Sequence, residues 1–169
     1  MKTILYLTRH GETVDNADKI MQGQRQGQLN ETGIRQAEKL RDYFINAHFD
    51  AVIASDLKRS IDTARILATP HQLNVVTTPL LRERDWGSFT GCYIPDIQDV
   101  EWPEDVEPLE MLLKRATEFL KFIKMNYNGM KVLVVGHGII NKAIQAVHYD
   151  KQMHKIERMA NCEVRVLEL

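Results

Sequence analysis

Ile4-Leu5-Tyr6-Leu7-Thr8-Arg9-His10-Gly11 and Val132-Leu133-Val134-Val135-Gly136-His137-Gly138 make the same statement twice: a short apolar run that stops at a histidine followed by glycine. Such runs, too short for helices and without polar alternation, read as strands buried on both faces. Working outward, Asn30 or Thr32 is placed to cap a helix in which Ile34, Ala37, Leu40 and Phe44 recur at helical spacing. Ala51 to Ala54 is a second small strand, broken at Ser55-Asp56. Leu57, Ile61, Ala64 and Ala68 then follow at helical intervals, giving strand, cap and helix in succession. Leu73 to Thr78 is a third strand ended by Pro79, and Leu109, Leu112, Leu113, Ala116, Leu120 and Ile123 form the clearest helical stripe, with Gly129 beyond its end. Lys131 to Val135 is the fourth strand, Ile139 to Val147 a helix, and Val164 to Leu169 a last strand. Strands alternating with helices predict an α/β fold, a three-layer α/β/α sandwich on a mainly parallel mixed sheet. Around 88–110 the periodicity lapses and Pro95, Pro103 and Pro108 appear, which reads as a short cap or excursion able to cover a site, or as a plain linker.

The 169 residues fit a single domain over 1–169, large enough to bury its own core. A composition of 44% hydrophobic and 27% charged residues excludes a disordered or low-complexity chain. Lys and Arg number 22 against 23 Asp and Glu, so no global positive field draws nucleic acid or an anionic membrane surface. Any anion site must be local. Cys92 and Cys162 form no C-x-x-C pair, which points to reduced thiols and a cytoplasmic setting. The apolar start is interrupted by Arg9, His10 and Glu12, too soon for a signal peptide, and no run approaches a membrane span.

In open α/β sheets the carboxyl ends of strands line the ligand crevice, so His10 and His137 are expected to face one another there. The plainer alternative is two loop histidines beside glycine turns. Arg9 adds a guanidinium fork suited to phosphate or carboxylate. Arg59 lies in the first turn of the helix after Ser55-Asp56, where the helix dipole also favours an anion, though alone it reads as a solvated helix residue. Glu83 sits in the charged loop Leu80-Leu81-Arg82-Glu83-Arg84-Asp85-Trp86-Gly87, as a proton donor or a salt-bridged carboxylate. His48, His71, His148 and His154 read as surface or structural. No P-loop, dinucleotide fingerprint, nucleophile elbow or metal-ligand spacing occurs, so neither a metal nor a cofactor is expected.

The ordered set Leu7-Thr8-Arg9-His10-Gly11-Glu12-Thr13-x-x-Asn16 closely resembles the signature of the histidine phosphatase superfamily, in its phosphoglycerate mutase-like branch. Gln22-Gly23 with Leu29, Gly33 and Gln36-Ala37 is similar to that family's second block. Ser55-Asp56-Leu57-x-Arg59-Ser60-x-x-Thr63-Ala64 looks like its third. Leu81-Arg82-Glu83, Gly87-x-Phe89-x-Gly91, Val134-x-Gly136-His137-Gly138 and Asn161-Cys162 complete the order, leaving only about 92–108 outside the resemblance. The resemblance implies a phosphohistidine mechanism: His10 as nucleophile, Arg9, Arg59 and His137 gripping the phosphoryl oxygens, and Glu83 as general acid and base. Asn16, Gln22 and Gly23 would line the substrate pocket.

Each implied role is physically sensible. Neutral imidazole is a competent nucleophile near pH 7 when its other nitrogen donates to a fixed acceptor. Guanidinium forks stabilise phosphoryl charge without a metal. Glu83 must carry a proton to the leaving alkoxide, which favours partial desolvation, with Trp86 as the expected apolar wall. Departures at Gln26 to Asn30, Thr90 and Pro108 bear on substrate choice. Three functions compete: a small-molecule phosphomonoesterase, a cofactor-dependent phosphoglycerate mutase, and a non-catalytic phospho-ligand or protein-binding module. Between Cys92 and Leu112 lie seven acidic residues and no Lys or Arg. If they overhang the crevice they repel a second phosphate, and if they face water they do nothing of the kind.

Overall fold

A computed structural model describes residues 2–169. Five strands, β1 (Ile4–Arg9), β2 (Ala51–Ser55), β3 (Val75–Thr78), β4 (Lys131–Gly136) and β5 (Val164–Glu168), form one sheet in the order β3-β2-β4-β1-β5. All neighbours are parallel except β5, which runs antiparallel to β1. Alternation along each strand divides the core. Leu5, Leu7, Ile53, Val132 and Val134 face α5 (Leu109–Asn126) and α6 (Gly138–His148). Val52, Ala54, Leu133 and Val135 face the opposite way, into the layer of α2 (Glu31–Tyr43) and α3 (Lys58–Ala68). The three-layer sandwich expected from the sequence is the observed architecture. Val132 to Val135 are wholly inaccessible, and each such burial contributes about 1.5–3 kcal/mol, which explains why β4 is a continuous apolar run. Tyr6, Phe44 and Phe49 meet edge-on at 5.1–5.9 Å between centroids and close the second layer. Among the described residues no helix is long and apolar enough to cross a membrane.

Three local expectations need revision. Ile34 shares its helical spacing with Ala37, Leu40 and Phe44, yet it is 41% exposed, while Gly33 and Ala37 are buried. The cause is close backbone approach: a Cβ on Gly33 would lie 2.0 Å from the Glu12 carbonyl oxygen, so the helix meets the loop after β1 through its glycine. Ser55-Asp56 does not cap α3. The N-cap is Leu57 without a side-chain bond, and the amides of Lys58 and Arg59 donate instead to Gln26 Oε1 at 2.8 Å and the Gln26 carbonyl at 3.2 Å. Asp56 turns away to a two-pronged pair with Arg82 at 2.8 and 2.6 Å. The third strand begins at Val75 rather than Leu73.

The stretch around 88–110 carries two short helical features, a 3₁₀ turn at Gly87–Phe89 and α4 (Ile94–Ile97). It is stitched to the loop after α1 (Val14–Ala17) by the Ile20–Tyr93 bridge, and the Met21 amide donates to the Cys92 carbonyl at 2.9 Å. Its carboxylates are tethered or solvated. Glu107 is held by Arg115 at 2.8 Å, Asp105 accepts from the Ser88 amide at 3.0 Å, and Asp96, Asp99, Glu101, Glu104 and Glu110 are exposed.

Candidate active site

The carboxyl ends of β1 and β4 are in register, Arg9 opposite Gly136, so the residues that follow them emerge side by side. His10 and His137 stand with ring centroids 5.1 Å apart. Both are buried, at 2% and 0% exposure. The His10 Nδ1–H donates to the Gly11 carbonyl at 2.7 Å. A carbonyl only accepts, so the proton is on Nδ1 and the lone pair is on Nε2. That lone pair accepts from Arg59 Nε at 3.3 Å, and the same Nε reaches His137 Nδ1 at 3.2 Å. His137 therefore carries its proton on Nε2 and donates it to Ser60 Oγ at 3.2 Å, which lies 3.4 Å from its own acceptor, the Gly136 carbonyl.

Burial holds both imidazoles well below their ordinary pKa, and the adjacent guanidiniums of Arg59 and Arg9 reinforce the effect. Burial also brings Arg59 down to about 10, still a cation at neutral pH. Its Nη2 donates to the Gly23 carbonyl at 2.8 Å and its Nη1 to the Arg25 carbonyl, so the loop after α1 cradles the guanidinium. Gly23 adopts φ +52, a conformation costly for any side chain, and a Cβ there would sit 2.9 Å from Thr90 Oγ1. Arg9 donates Nη1 to the Met159 carbonyl at 2.9 Å, while its buried Nε has no hydrogen-bond partner among the described residues. A buried cationic donor without a partner costs about 1–3 kcal/mol or more unless a ligand satisfies it.

Glu83 lies across the crevice at the N-terminus of α6. Its oxygens accept from the amides of Ile139 and Ile140 at 3.1 and 3.0 Å, and from that of Arg84 at 2.9 Å. Trp86 was the expected wall for this carboxyl. It lines the same cavity as Glu83, and it also packs edge-on against Trp102 at 5.2 Å, with Arg84 over both rings.

A cavity of about 200 Å³ joins these parts. Arg9, His10, Arg59 and Glu83 line it, and so do Asn16, Gln22 and Gly23. His137 is absent from the wall and lies behind Arg59. Asn16 is also a structural cap, its amide donating to Thr13 Oγ1 at 3.0 Å while Oδ1 accepts from the Thr13 amide at 3.2 Å. Gln22 Oε1 accepts from Thr13 Oγ1 at 3.0 Å. From the acidic stretch only Ile94 reaches the cavity, so an overhang of carboxylates is not what the structure contains. Arg158 lines the wall as well, and nothing in the aperiodic stretch around it marked it in advance. Among the described residues no group of three or more His, Cys, Asp or Glu side chains is arranged to hold a metal ion.

Comparison with known proteins gives this geometry a family. The chain is 33% identical over 184 residues to a metal-independent phosphoserine phosphatase of Arabidopsis thaliana, covering 99% of this chain and 76% of that one. It is 45% identical over 149 residues to a probable phosphoglycerate mutase of Yersinia pestis, covering 80% and 69%. Among solved structures it is similar to a putative α-ribazole-5′-P phosphatase of Escherichia coli, with TM-score 0.88, 25% identity and coverage of 97% and 89%. A protein described as mycobacterial hydrolase 1 shares the fold with TM-score 0.92 at 23% identity, covering 99% and 92%. The profile of the histidine phosphatase superfamily (branch 1) matches residues 5–169, and the chain belongs to that family of phosphatases.

Proposed function

We propose that the protein is a metal-independent phosphomonoester hydrolase that works on a small phosphorylated metabolite through a phosphohistidine at His10. The carrying observation is the tautomer of His10, with its proton held by Gly11 and its lone pair turned to Arg59 at the cavity wall. As a phosphoryl group enters, Arg59 Nε exchanges its two imidazole acceptors for phosphoryl oxygens, and His10 Nε2 becomes free to attack phosphorus. Arg9 supplies its unpartnered Nε to the same oxygens. The incoming dianion counters the guanidiniums that depress His137, so a proton on its Nδ1 can face the phosphoryl group. The P–O bond to the alcohol breaks as N–P forms, and Glu83 gives the leaving alkoxide its proton. Glu83 then takes a proton from water, whose oxygen displaces His10 and releases phosphate.

The cavity, about 200 Å³, is smaller than the ~300–1,000 Å³ of pockets for drug-sized ligands, which supports a ligand whose enclosed part is little more than a phosphoryl group and a short carbon skeleton. Cys92 and Cys162 are free thiols, consistent with a reducing cytoplasmic setting. Rapid quenching after brief mixing with substrate is expected to trap an acid-labile, alkali-stable phosphoprotein. Label and turnover should both vanish in His10→Ala and both survive chelation of divalent ions. Activity of wild-type size in His10→Ala, or a strict need for a divalent ion, contradicts the mechanism. Mutase turnover is the competing reading, favoured by the name of the Yersinia relative. It requires that phosphoryl transfer from phosphorylated His10 to a phosphoglycerate outrun transfer to water, so both products are to be measured in one assay.

A further inference from the structure

Ser60 follows Arg59 on α3, yet the reaction proposed above gives it nothing to do. It is wholly buried, and so is His137 beside it. Arg59 Nε can only donate, so in the free protein His137 Nδ1 is an acceptor and the ring proton sits on Nε2, directed at Ser60 Oγ at 3.2 Å. The Ser60 hydroxyl must then direct its own proton elsewhere, and it donates to the Gly136 carbonyl at 3.4 Å. That carbonyl also accepts from the His10 amide at 3.1 Å, so one oxygen ties Ser60 to the start of the loop that bears the nucleophile.

When Arg59 turns to the phosphoryl oxygens, His137 Nδ1 meets an anion with its lone pair, and it helps only once it carries a proton. Two routes lead there. In one the ring stays neutral: the proton leaves Nε2, another reaches Nδ1, and the Ser60 hydroxyl swings round to donate to Nε2. In the other Nε2 keeps its proton and Nδ1 gains one, making the ring a cation. The first route must pass a proton out through Ser60, where neither side chain meets solvent and the next neighbour is a carbonyl oxygen that does not carry protons onward. The second delivers the proton on the side that His137 shares with His10, through Arg59 Nε. Charge also favours it. Among the described residues the groups facing His137 are Arg59 on α3, Arg9 and His10 at the end of β1, Arg115 on α5, and Glu83 at the N-terminus of α6. Burial first, and then the three guanidiniums, keep the free ring neutral, and a phosphoryl dianion reverses that balance. We propose that Ser60 is a positioning residue: by holding the Nε2 proton of His137 it makes the ring meet the phosphoryl group as an imidazolium, so that one proton enters the site with each phosphoryl group. The new N–H bond is on Nδ1, and its proton comes from solvent because a phosphate ester dianion brings none. The inference rests on the phosphohistidine reading of this cavity.

Sulfate is the probe, a tetrahedral dianion that stays unprotonated near neutral pH, so any proton taken up belongs to the protein. The imidazole nitrogen resonances of His137, identified by their absence from His137→Gln, separate the three states of the ring. In isotope-labelled wild type at about pH 7.5 they should report the neutral Nε2–H form alone and the imidazolium at saturating sulfate. In Ser60→Ala the cation's Nε2–H has no acceptor, so the sulfate-bound ring should be the neutral Nδ1–H form. Alanine is the best helix former and suits the interior of α3. The same difference should appear in rates. With nitrophenyl phosphate, which barely needs a proton from Glu83, wild-type kcat/KM should fall about tenfold per pH unit between about pH 7 and 9, as expected when one proton must be gained. Ser60→Ala should be nearly flat over that range, and Ser60→Thr, which keeps the hydroxyl, should follow the wild type. An uncharged His137 in the sulfate-bound wild type overturns the proposal, and so does an unaltered imidazolium or an unaltered pH slope in Ser60→Ala. Failure of the parent reading looks different: no ester turns over and His10 acquires no label in the wild type. A labelled His10 with a neutral, sulfate-bound His137 removes the role of Ser60 alone.

Discussion

A single guanidinium group, Arg59 Nε, is shared by two imidazoles, and this contact sets the order of events proposed for turnover. On that proposal the His10 lone pair is occupied until a phosphoryl oxygen offers Arg59 a better acceptor, and the reactive state would form only with substrate in place. Glu83 gives the sharpest residue-level expectation. An alkyl phosphate expels a strongly basic alkoxide and needs its proton, whereas a nitrophenyl phosphate expels an anion stable near neutral pH. Glu83→Gln should slow alkyl phosphates by ~10²–10⁴-fold and nitrophenyl phosphate much less. Equal losses on both substrates would reassign Glu83 to positioning. His10, Arg9 and His137 were legible in the sequence because strand ends deliver whatever follows them to one edge of a parallel sheet. Arg158 was not, because it follows a single 3₁₀ turn at Met153–Lys155 in a stretch without periodicity. Nor does sequence spacing say that His137 lies behind Arg59 rather than on the cavity wall.

At the scale of elements, α3 begins without a side-chain cap of its own and borrows one from Gln26, a residue 32 positions earlier. The loop that caps α3 also surrounds its second residue, Arg59, so the helix start and the proposed anion site are one construction. Gln26→Ala should cost about 0.5–2 kcal/mol of stability, in the range of a lost N-cap, and should raise KM for phosphate esters as the cradle around Arg59 loosens. Denaturant unfolding and steady-state kinetics on the purified variant check both halves, and a stable variant with unaltered KM would separate the loop from the site. Strands and helices were readable from periodicity because each buries a regular face. The capping of α3 and the seating of α2 on Gly33 were not, since both depend on a loop folding back through space onto a helix start. For the same reason composition alone left open whether the acidic stretch overhangs the crevice or faces water, while its actual contribution to the cavity is the aliphatic Ile94.

For the whole molecule, two buried neutral histidines make stability depend on pH. In the unfolded chain imidazole takes up a proton as pH falls through ~6.5, while His10 and His137 remain unprotonated until a lower pH is reached. Between those values the unfolded state binds more protons, so stability is fully present above about pH 6.5 and is lost as pH falls below it. The slope approaches about 1.4 kcal/mol per pH unit for each ring. Urea unfolding from pH 7.5 to 5 should register the decline, with His10→Gln removing one ring's share; a flat profile in the wild type would mean that the rings titrate normally. The placement of β1 has a different consequence. Its two neighbours are β4 and β5, and Cys162 and Asn161 bond the carbonyls of Arg9 and His10 at 2.9 and 3.0 Å. During synthesis β1 is made first among the strands, and at ~5–20 residues per second its last partner follows roughly 8 to 30 s later. Its other partner, β4, comes earlier but still after more than a hundred intervening residues, so the segment that bears His10 is the first strand made and the last to have both its edges covered.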